Sequence, residues 1–584
     1  MLPFLFSHFP QHPSVNQPTP AIVAQGAVRR LPRVALLLFC IAYVLPGFLG
    51  RGPWKSADIT AFGYMAELAR GGANWFSPQL MGLPPEVDAL LPYWLGAWAM
   101  QLAPAWIAPD FAARIAFVLL LTLTLFATWY GTYYLARSPE AQPVAFAFGG
   151  EALPPDYARA MADGGLLAFI ACLGLAQLSH ETTPALAQLC FTALFFYALA
   201  ALPYRTVIPA IGGVLGLSGL ALSGAPAVAV LFGTGSAVIH LLDQSPAPEA
   251  TRQKAYRAAG IALLTMLVAL LASWLDLWRW RIELPEASWA EWRSLGRLLL
   301  WFTWPAWPLA LWTLWRWRRQ LVRGGTPSRH LALPLWFAGV AVGATLTTAS
   351  ADRSLLLALP ALAALAAFAL PTLERSVAAL IDWFTLIFFS GCVFTIWVVW
   401  IALQTGVPRQ PAANVARLAP GFEHSFSFVP FLIAIAATLA WVWLVKWRVG
   451  RHRAAIWKSL VLPAGGAALC WLLLMTLWLP LLDFARSYAP LVHRTMAVLQ
   501  RPDCVEEHGL SRGQIAAFQF HGHLLVKPVG SPASCPWLIA DKDALTTGSP
   551  SIDPKLWTLH STVHHPSDRD EDVLIYKRRD QRGS

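Results

Sequence analysis

The segment Arg51-Gly52-Pro53-Trp54-Lys55-Ser56-Ala57-Asp58 places two cations and a carboxylate in one short loop, directly after the first long apolar run of the chain. A carboxylate there can accept or orient a hydroxyl proton, and an arginine presents a planar fork that matches phosphate. Similar groups recur later. Glu181, with His180 beside it, ends the third apolar run, and Asp352-Arg353 opens another. Ionisable residues at membrane depth are costly and usually face a cavity. Arg279 and Arg281 form a further cluster, with Trp278, Trp280 and Trp292 near them. Each group also has a plainer reading. Asp58 can cap a helix starting near Ile59, Glu181 can sit in a solvated turn, Asp352 and Arg353 can pair for stability, and the tryptophans can belong to an interfacial belt.

The elements that must hold these groups are set by composition. Apolar residues make up 57% of the 584-residue chain and charged residues 13%, against about 25% charged in a soluble domain. The 29 Trp and 31 Phe fit aromatic belts at two bilayer interfaces. The chain therefore reads as a polytopic α-helical membrane protein. The formal net charge of +11 is spread in short clusters between apolar runs, as the positive-inside rule distributes it. No motif of nucleic-acid recognition accompanies it, so no nucleic-acid partner is expected.

A crossing helix needs about 20 mostly apolar residues. Thirteen segments are expected to cross, at 31–49, 111–136, 165–180, 185–203, 206–222, 225–242, 259–275, 296–315, 331–349, 354–372, 381–403, 426–445 and 457–480. Residues 1–30 form an N-terminal extension without the charge pattern of a secretory signal. Arg205, the Arg252/Lys254/Arg257 set, the Arg316–Arg323 set and the Lys446–Arg453 set mark the cytoplasmic loops, together with the N-terminus. An odd number of crossings then puts the tail from 483 to 584 outside. Cys504 and Cys535 in that tail are expected to be bonded if it faces an oxidising compartment and free if it faces the cytoplasm. The other five cysteines lie in apolar runs and read as packing residues.

Within the membrane unit 31–482, the loop 50–110 is too long for a turn. Residues from Ile59 to Arg70-Gly71-Gly72, and from Leu91 to Leu102, show helical spacing and are expected to lie along the interface. In the tail, Ala516-Ala517-Phe518-Gln519-Phe520 and Val573-Leu574-Ile575-Tyr576 are expected as strands, giving a small α/β soluble domain.

The sequence resembles bacterial membrane glycosyltransferases of the aminoarabinose-transferase and protein-O-mannosyltransferase type. The residues that carry the resemblance are Arg51 to Asp58 through Asn74-Trp75, Pro92-Tyr93-Trp94-Leu95, Trp304-Pro305-Ala306-Trp307-Pro308, Asp352-Arg353 to Pro360, and Leu482-Asp483 through Arg486-Ser487-Tyr488. The resemblance implies the C-type glycosyltransferase fold. It also implies transfer of a sugar from a polyprenyl-phosphate donor to a lipid, protein or polysaccharide acceptor at the outer face of the bacterial inner membrane. It assigns Asp58 and Glu181 as the acidic catalytic residues, Asp58 as the base or acceptor-orienting group and Glu181 as a second acidic group. It places Arg353 at the donor phosphate, with Arg51, Lys55 and Arg279 as further phosphate candidates. His180, Glu86, Asp88 and Tyr93 fall where substrate contacts are expected. A divalent metal between Asp58 and Glu181 is conceivable, with no further ligand set in the sequence. Two family lysines are missing: Glu86-Val87-Asp88 stands where a Glu-Lys pair is common, and Ser223-Gly224-Ala225-Pro226 where Lys-Gly-Pro is common.

Two rivals belong to other classes. A lipid or glycolipid transporter or flippase would show inverted repeats and interrupted helices at the midplane, and no internal repeat is present. A non-catalytic glycolipid-binding relative would bind a donor without releasing polyprenyl phosphate.

Overall fold

The structure, a computed structural model, describes residues 19–243, 251–278, 288–322, 328–348, 351–449, 455–500, 502–530, 535–542 and 552–579. The part of the chain that holds most of the candidate site is built from α1 (Arg33–Val44), α2 (Ala57–Ala69), α3 (Leu91–Leu102), α4 (Pro109–Ala136), α5 (Pro154–Ala171), α6 (Leu175–Leu178) and α7 (Pro184–Ala201). Proline starts α4, α5 and α7, where a missing N–H costs nothing and φ is already helical. Asp110 and Asp156 stand in the first turns of α4 and α5, as the helix dipole favours.

Close approach of helices holds the membrane unit together. α7 runs between α4 and the helix Val207–Leu222, and Leu186, Leu189, Phe195 and Phe196 are buried along it. At Gly216 a Cβ atom would stand 2.7 Å from the backbone N of Phe195, so only glycine lets these two backbones meet this closely. The helices Arg375–Thr405 and Phe428–Val449 turn apolar side chains outward, among them Leu380, Ile387, Phe394, Leu432 and Leu439. Outward apolar faces of this length suit lipid, not water.

Among the described residues six helices are long and apolar enough to cross a membrane, and shorter apolar helices accompany them, including Arg33–Val44, Val207–Leu222 and Pro226–Leu242. Among the described residues each segment expected to cross falls mainly on helix, but several differ in form. The segment 165–180 belongs to α5, which begins at Pro154, ends before Cys172 and is followed by the short α6. Arg159 and Asp163 hid this start, yet Asp163 is buried with the Trp129 indole donating to it at 2.9 Å. The segment 296–315 divides into Trp289–Phe302 and Ala306–Arg316 around Pro305, and 354–372 divides into Ala351–Leu356 and Leu359–Ala369 before Pro360. Proline removes a helical hydrogen bond.

The tail is α/β, as expected. Strands β1 (Cys504–His508), β2 (Leu525–Pro528), β3 (Trp537–Asp541), β4 (Trp557–Val563) and β5 (Val573–Arg578) form one sheet in the order β2-β1-β3-β5-β4. β1 is parallel to β2 and β3, and β5 is antiparallel to β3 and β4. Residues 516–520, expected as a strand, instead lie in the helix Arg512–His521. Its start is fixed by a reciprocal cap, in which Ser511 and Gln514 each bind the other's backbone N–H, and that local device outweighs the apolar run. Cys504 and Cys535 are bonded, with Cα atoms 5.6 Å apart.

The tail packs on the loop 50–110. Phe62 of α2 meets Phe520 with ring centres 4.7 Å apart, and Arg512 reaches Glu86 at 3.5 Å. At the other end of α4, the N-terminal segment pairs with the loop after it, Val144 donating to Ala21 and Ala152 to Val23, each at 2.9 Å. The described N-terminal segment and the tail therefore lie at opposite ends of the membrane unit. α2 is largely buried between α3 and the tail helix, so it is a packed element and not one that only rests on lipid. Gly63 is a point of close approach to the tail helix: a Cβ there would stand 2.7 Å from the Ala516 Cβ. Gly63→Ala should cost about 1–3 kcal/mol through overpacking and expose the tail to protease at lower temperature. Unchanged proteolytic protection would contradict this packing.

Candidate functional site

The carboxylate of Asp58 is 3% exposed and accepts from four donors. Arg51 Nη1 lies 2.9 Å from Oδ2, and the Trp54 N–H donates to the same oxygen at 3.2 Å. The Thr182 N–H donates to Oδ1 at 2.8 Å, and the Thr182 hydroxyl binds that oxygen too. None of these donors is a first-turn amide of α2, so Asp58 does not cap its own helix. It ties the loop 50–110 to the turn between α6 and α7. Burial alone pushes the Asp58 carboxyl up, but the Arg51 charge and the bonds from Thr182 and Trp54 outweigh it and hold the carboxyl below its ordinary range.

Arg51 is equally committed. Its side chain is 2% exposed, Nε donates to the Gly47 carbonyl at 2.5 Å, and Nη2 donates to the His180 carbonyl at 2.6 Å. The guanidinium also stands 4.5 Å from the centre of the Trp54 ring, with Arg486 at 5.5 Å from the same ring. Asp483 accepts from the Gly52 N–H at 3.1 Å and the Trp54 indole at 2.9 Å. Arg114 of α4, which the sequence reading did not single out, pairs with Asp110 and donates to the Phe48 carbonyl at 3.0 Å.

Glu181 stands in the turn that Asp58 holds. Gln177 donates to its Oε1 at 3.2 Å, and Arg353 Nη2 lies 3.7 Å from Oε2. Arg353 therefore pairs with Glu181 and not with Asp352, whose carboxylate accepts instead from the Arg353 N–H at 2.9 Å. Three buried polar atoms here have no hydrogen-bond partner: Glu181 Oε2, Thr183 Oγ1 and Arg353 Nε. Buried polar atoms are ordinarily satisfied, so this is where a ligand's polar groups are wanted. The Arg353 side chain is 33% exposed. Burial, helped by the Asp58 charge, pushes the Glu181 carboxyl up, and Arg353 opposes this without cancelling it. Two carboxylates linked through one turn are thus driven in opposite directions, the pattern that separates a fixed charge from a proton acceptor.

The other sequence candidates are placed as follows. Lys55 pairs with Asp568 of the tail at 2.6 Å. His180 is buried, with Nε2 3.0 Å from the Tyr43 carbonyl and Nδ1 beside Ser179 and the Ala176 carbonyl. Tyr93 is buried against Tyr64, ring centres 5.4 Å apart, with its hydroxyl 3.5 Å from the Val87 carbonyl. Glu86 is exposed at Arg512, and Asp88 is half-buried in the same loop. Arg279 and Arg281 lie outside the described residues. Asp58, Glu181, Arg353 and Arg51 are brought together. Glu86, Asp88 and Tyr93 form a separate group beside the tail and α2, and Lys55 belongs to the seam with the tail.

Thr182 was missed because a threonine beside an acidic residue gives no signal of its own. As for a metal, both Asp58 oxygens are filled by donors, one of them a cation. Among the described residues, no group of three or more His, Cys, Asp or Glu side chains could hold an ion. The donor set does not fit a divalent metal, and no step is assigned to one.

Fold and site together define a multi-pass helical membrane protein whose α/β tail folds onto the loop that carries its buried carboxylate. The structure is similar to that of ArnT, an aminoarabinose transferase of the C-type glycosyltransferases, from Cupriavidus metallidurans, bound to undecaprenyl phosphate. The match has a TM-score of 0.57 and 13% identity, and covers 94% of this chain and 98% of that one. The apo state of the same protein matches with a TM-score of 0.53 and 13% identity, over 93% and 96% of the two chains. No protein-family model and no curated protein matches the sequence. At this identity the likeness establishes the fold.

Thr182→Val should destabilise the protein by about 1–3 kcal/mol, because Asp58 loses a donor in a buried place. The Asp58 carboxyl is depressed in the folded state, so its stabilisation is complete above its unfolded pKa of about 3.9 and fades as pH falls through the lower folded value. Thermal unfolding across pH should therefore show a gap between wild type and variant that is constant near neutrality and narrows only in that acid range. A gap that closes near pH 6 would contradict the assignment.

Proposed function

We propose that the protein is a membrane glycosyltransferase that moves a sugar from a polyprenyl-phosphate donor to an acceptor hydroxyl at the outer face of a bacterial inner membrane. The observation that carries this reading is the pair of buried Glu181 and partly exposed Arg353, with unpartnered polar atoms, set beside a carboxylate that is already ionised and fully bonded. In support stand the fold shared with ArnT, whose crystal structure holds undecaprenyl phosphate, and the motif resemblance at Arg51–Asp58, Asp352-Arg353 and Leu482–Tyr488.

In this reading the bond between the donor's anomeric carbon and its phosphate oxygen breaks, and its electron pair leaves with the phosphate. Arg353 holds that phosphate, since its guanidinium keeps free donor capacity while Arg51 and Lys55 are engaged by Asp58 and Asp568. The acceptor oxygen forms the new bond to the anomeric carbon, and Glu181 takes its proton. A raised carboxyl pKa suits a group that must accept a proton near its working pH. Asp58 supplies a fixed negative charge beside the carbon where positive charge develops, and holds the Glu181 turn in place. The acceptor can be lipid, protein or polysaccharide.

The orientation follows the same line. The N-terminus faces the cytoplasm, and the tail lies in the periplasm, where the Cys504–Cys535 bond is stable. Binding of a donor without turnover would instead make the chain a glycolipid-binding relative.

Incubation of the purified protein with polyprenyl-phosphate sugars should release polyprenyl phosphate. Glu181→Gln should lower the rate by about 10²–10⁴-fold with thermal stability near that of wild type. The wild-type rate should rise with pH through a value above the ordinary glutamate pKa. Near-normal release by Glu181→Gln would remove Glu181 from the mechanism.

A further inference from the structure

At the end of the membrane unit away from Asp58, a cavity of about 430 Å³ opens between α1, the last turns of α4 and the first turns of α5. From Arg114 to Tyr133 along α4 is about 28 Å at 1.5 Å per residue, so this cavity is remote from the site described above. Arg33, Arg137, Arg159 and Arg205 line it, with Asp163 as the one acidic lining residue and Tyr133 among its aromatic walls.

The charge there is not balanced. Asp163 is occupied by the Trp129 indole. Asp156 at the rim is shared by Arg30 at 3.2 Å and Arg159 at 3.6 Å. Among the described residues no carboxylate pairs with Arg33, Arg137 or Arg205. Arg137 is instead held against aromatic faces, 5.2 Å from the Tyr204 ring centre and 6.0 Å from that of Tyr133, which orients a guanidinium without neutralising it. Uncompensated arginines over tyrosines form a cradle for an anion, and the volume suits a small polar headgroup.

The surface beside the cavity indicates which anion. Leu37 and Ile41 of α1, Phe126 of α4 and Ile208 of the helix Val207–Leu222 are all exposed, so apolar surface leads from the basic mouth toward the middle of the membrane unit. A soluble anion makes no use of that flank, whereas an acyl chain attached to the headgroup does.

We propose that this cavity binds the phosphate headgroup of an anionic membrane lipid, with its chains lying along α1 and α4. On the orientation proposed above, the lipid comes from the cytoplasmic leaflet. The binding itself does not depend on that orientation or on the transferase reading. It makes the N-terminal end of the membrane unit a lipid-recognition site separate from the outer carboxylate site.

The test is native mass spectrometry of the full chain in detergent, titrated with phosphatidylglycerol and, in parallel, with zwitterionic phosphatidylcholine. Phosphatidylglycerol adducts should form preferentially, and millimolar inorganic phosphate should leave them in place. The double substitution Arg137→Gln/Arg205→Gln should weaken them about 25-fold, at roughly a factor of five per arginine, with an unchanged melting temperature. Arg417→Gln, on the exposed helix Arg409–Leu418, should leave them intact. Equal binding of the two lipids, full retention of adducts in the double variant, or displacement by inorganic phosphate would each overturn the proposal. The last of these would indicate a site for free anions.

Discussion

The buried ion pair between Arg51 and Asp58 is the constraint on which the tail-bearing end of the molecule depends. Taking two charges out of water costs several kcal/mol per ion, and their attraction repays this only when the remaining hydrogen-bonding capacity is also met. Here it is met from distant parts of the chain. The Thr182 turn supplies two donors to Asp58, while the Gly47 and His180 carbonyls accept from Arg51. A loop that would otherwise be free to move is thereby fastened to α1, α6 and α7 at once. The pair is better understood as fixing one arrangement than as adding net stability.

That arrangement has chemical consequences. Because Thr182 follows Glu181 directly, any restraint on Thr182 also restrains Glu181. Asp58 stays ionised because four donors surround it, and its charge helps to drive Glu181 the other way. The tail adds a second restraint from outside. Lys55 is pinned by Asp568, Trp54 and Gly52 by Asp483, and α2 by the helix Arg512–His521. Functional groups held by such a supporting shell keep their geometry better than groups on an unsupported loop.

Much of this was legible in the sequence, for physical reasons that differ by element. Long apolar runs report directly on membrane helices, and α3 falls on the expected residues Leu91–Leu102. The start of α5 was hidden because Asp163 satisfies its polarity with a tryptophan on another helix, a contact no local pattern carries. The strand expected at 516–520 failed because a two-residue cap decided the local structure. At the site, residue type pointed to Asp58, Glu181 and Arg353. It did not show which cations were already engaged, so Arg51 and Lys55 stayed further phosphate candidates behind Arg353 until their partners, Asp58 and Asp568, were known. Thr182 and Arg114 carry no chemical signature in sequence and acquire importance only through what they touch.

The central claim is that Asp58 is buried as an ion because Arg51 is there. The most direct measurement is a double-mutant cycle on thermal unfolding, with Arg51→Gln, Asp58→Asn and the two combined. Removing Arg51 alone leaves an uncompensated buried carboxylate and should cost about 3–5 kcal/mol. Adding Asp58→Asn removes the stranded charge, so the double variant should regain much of that loss. If the two single losses simply add, the residues do not interact as described and the account is wrong.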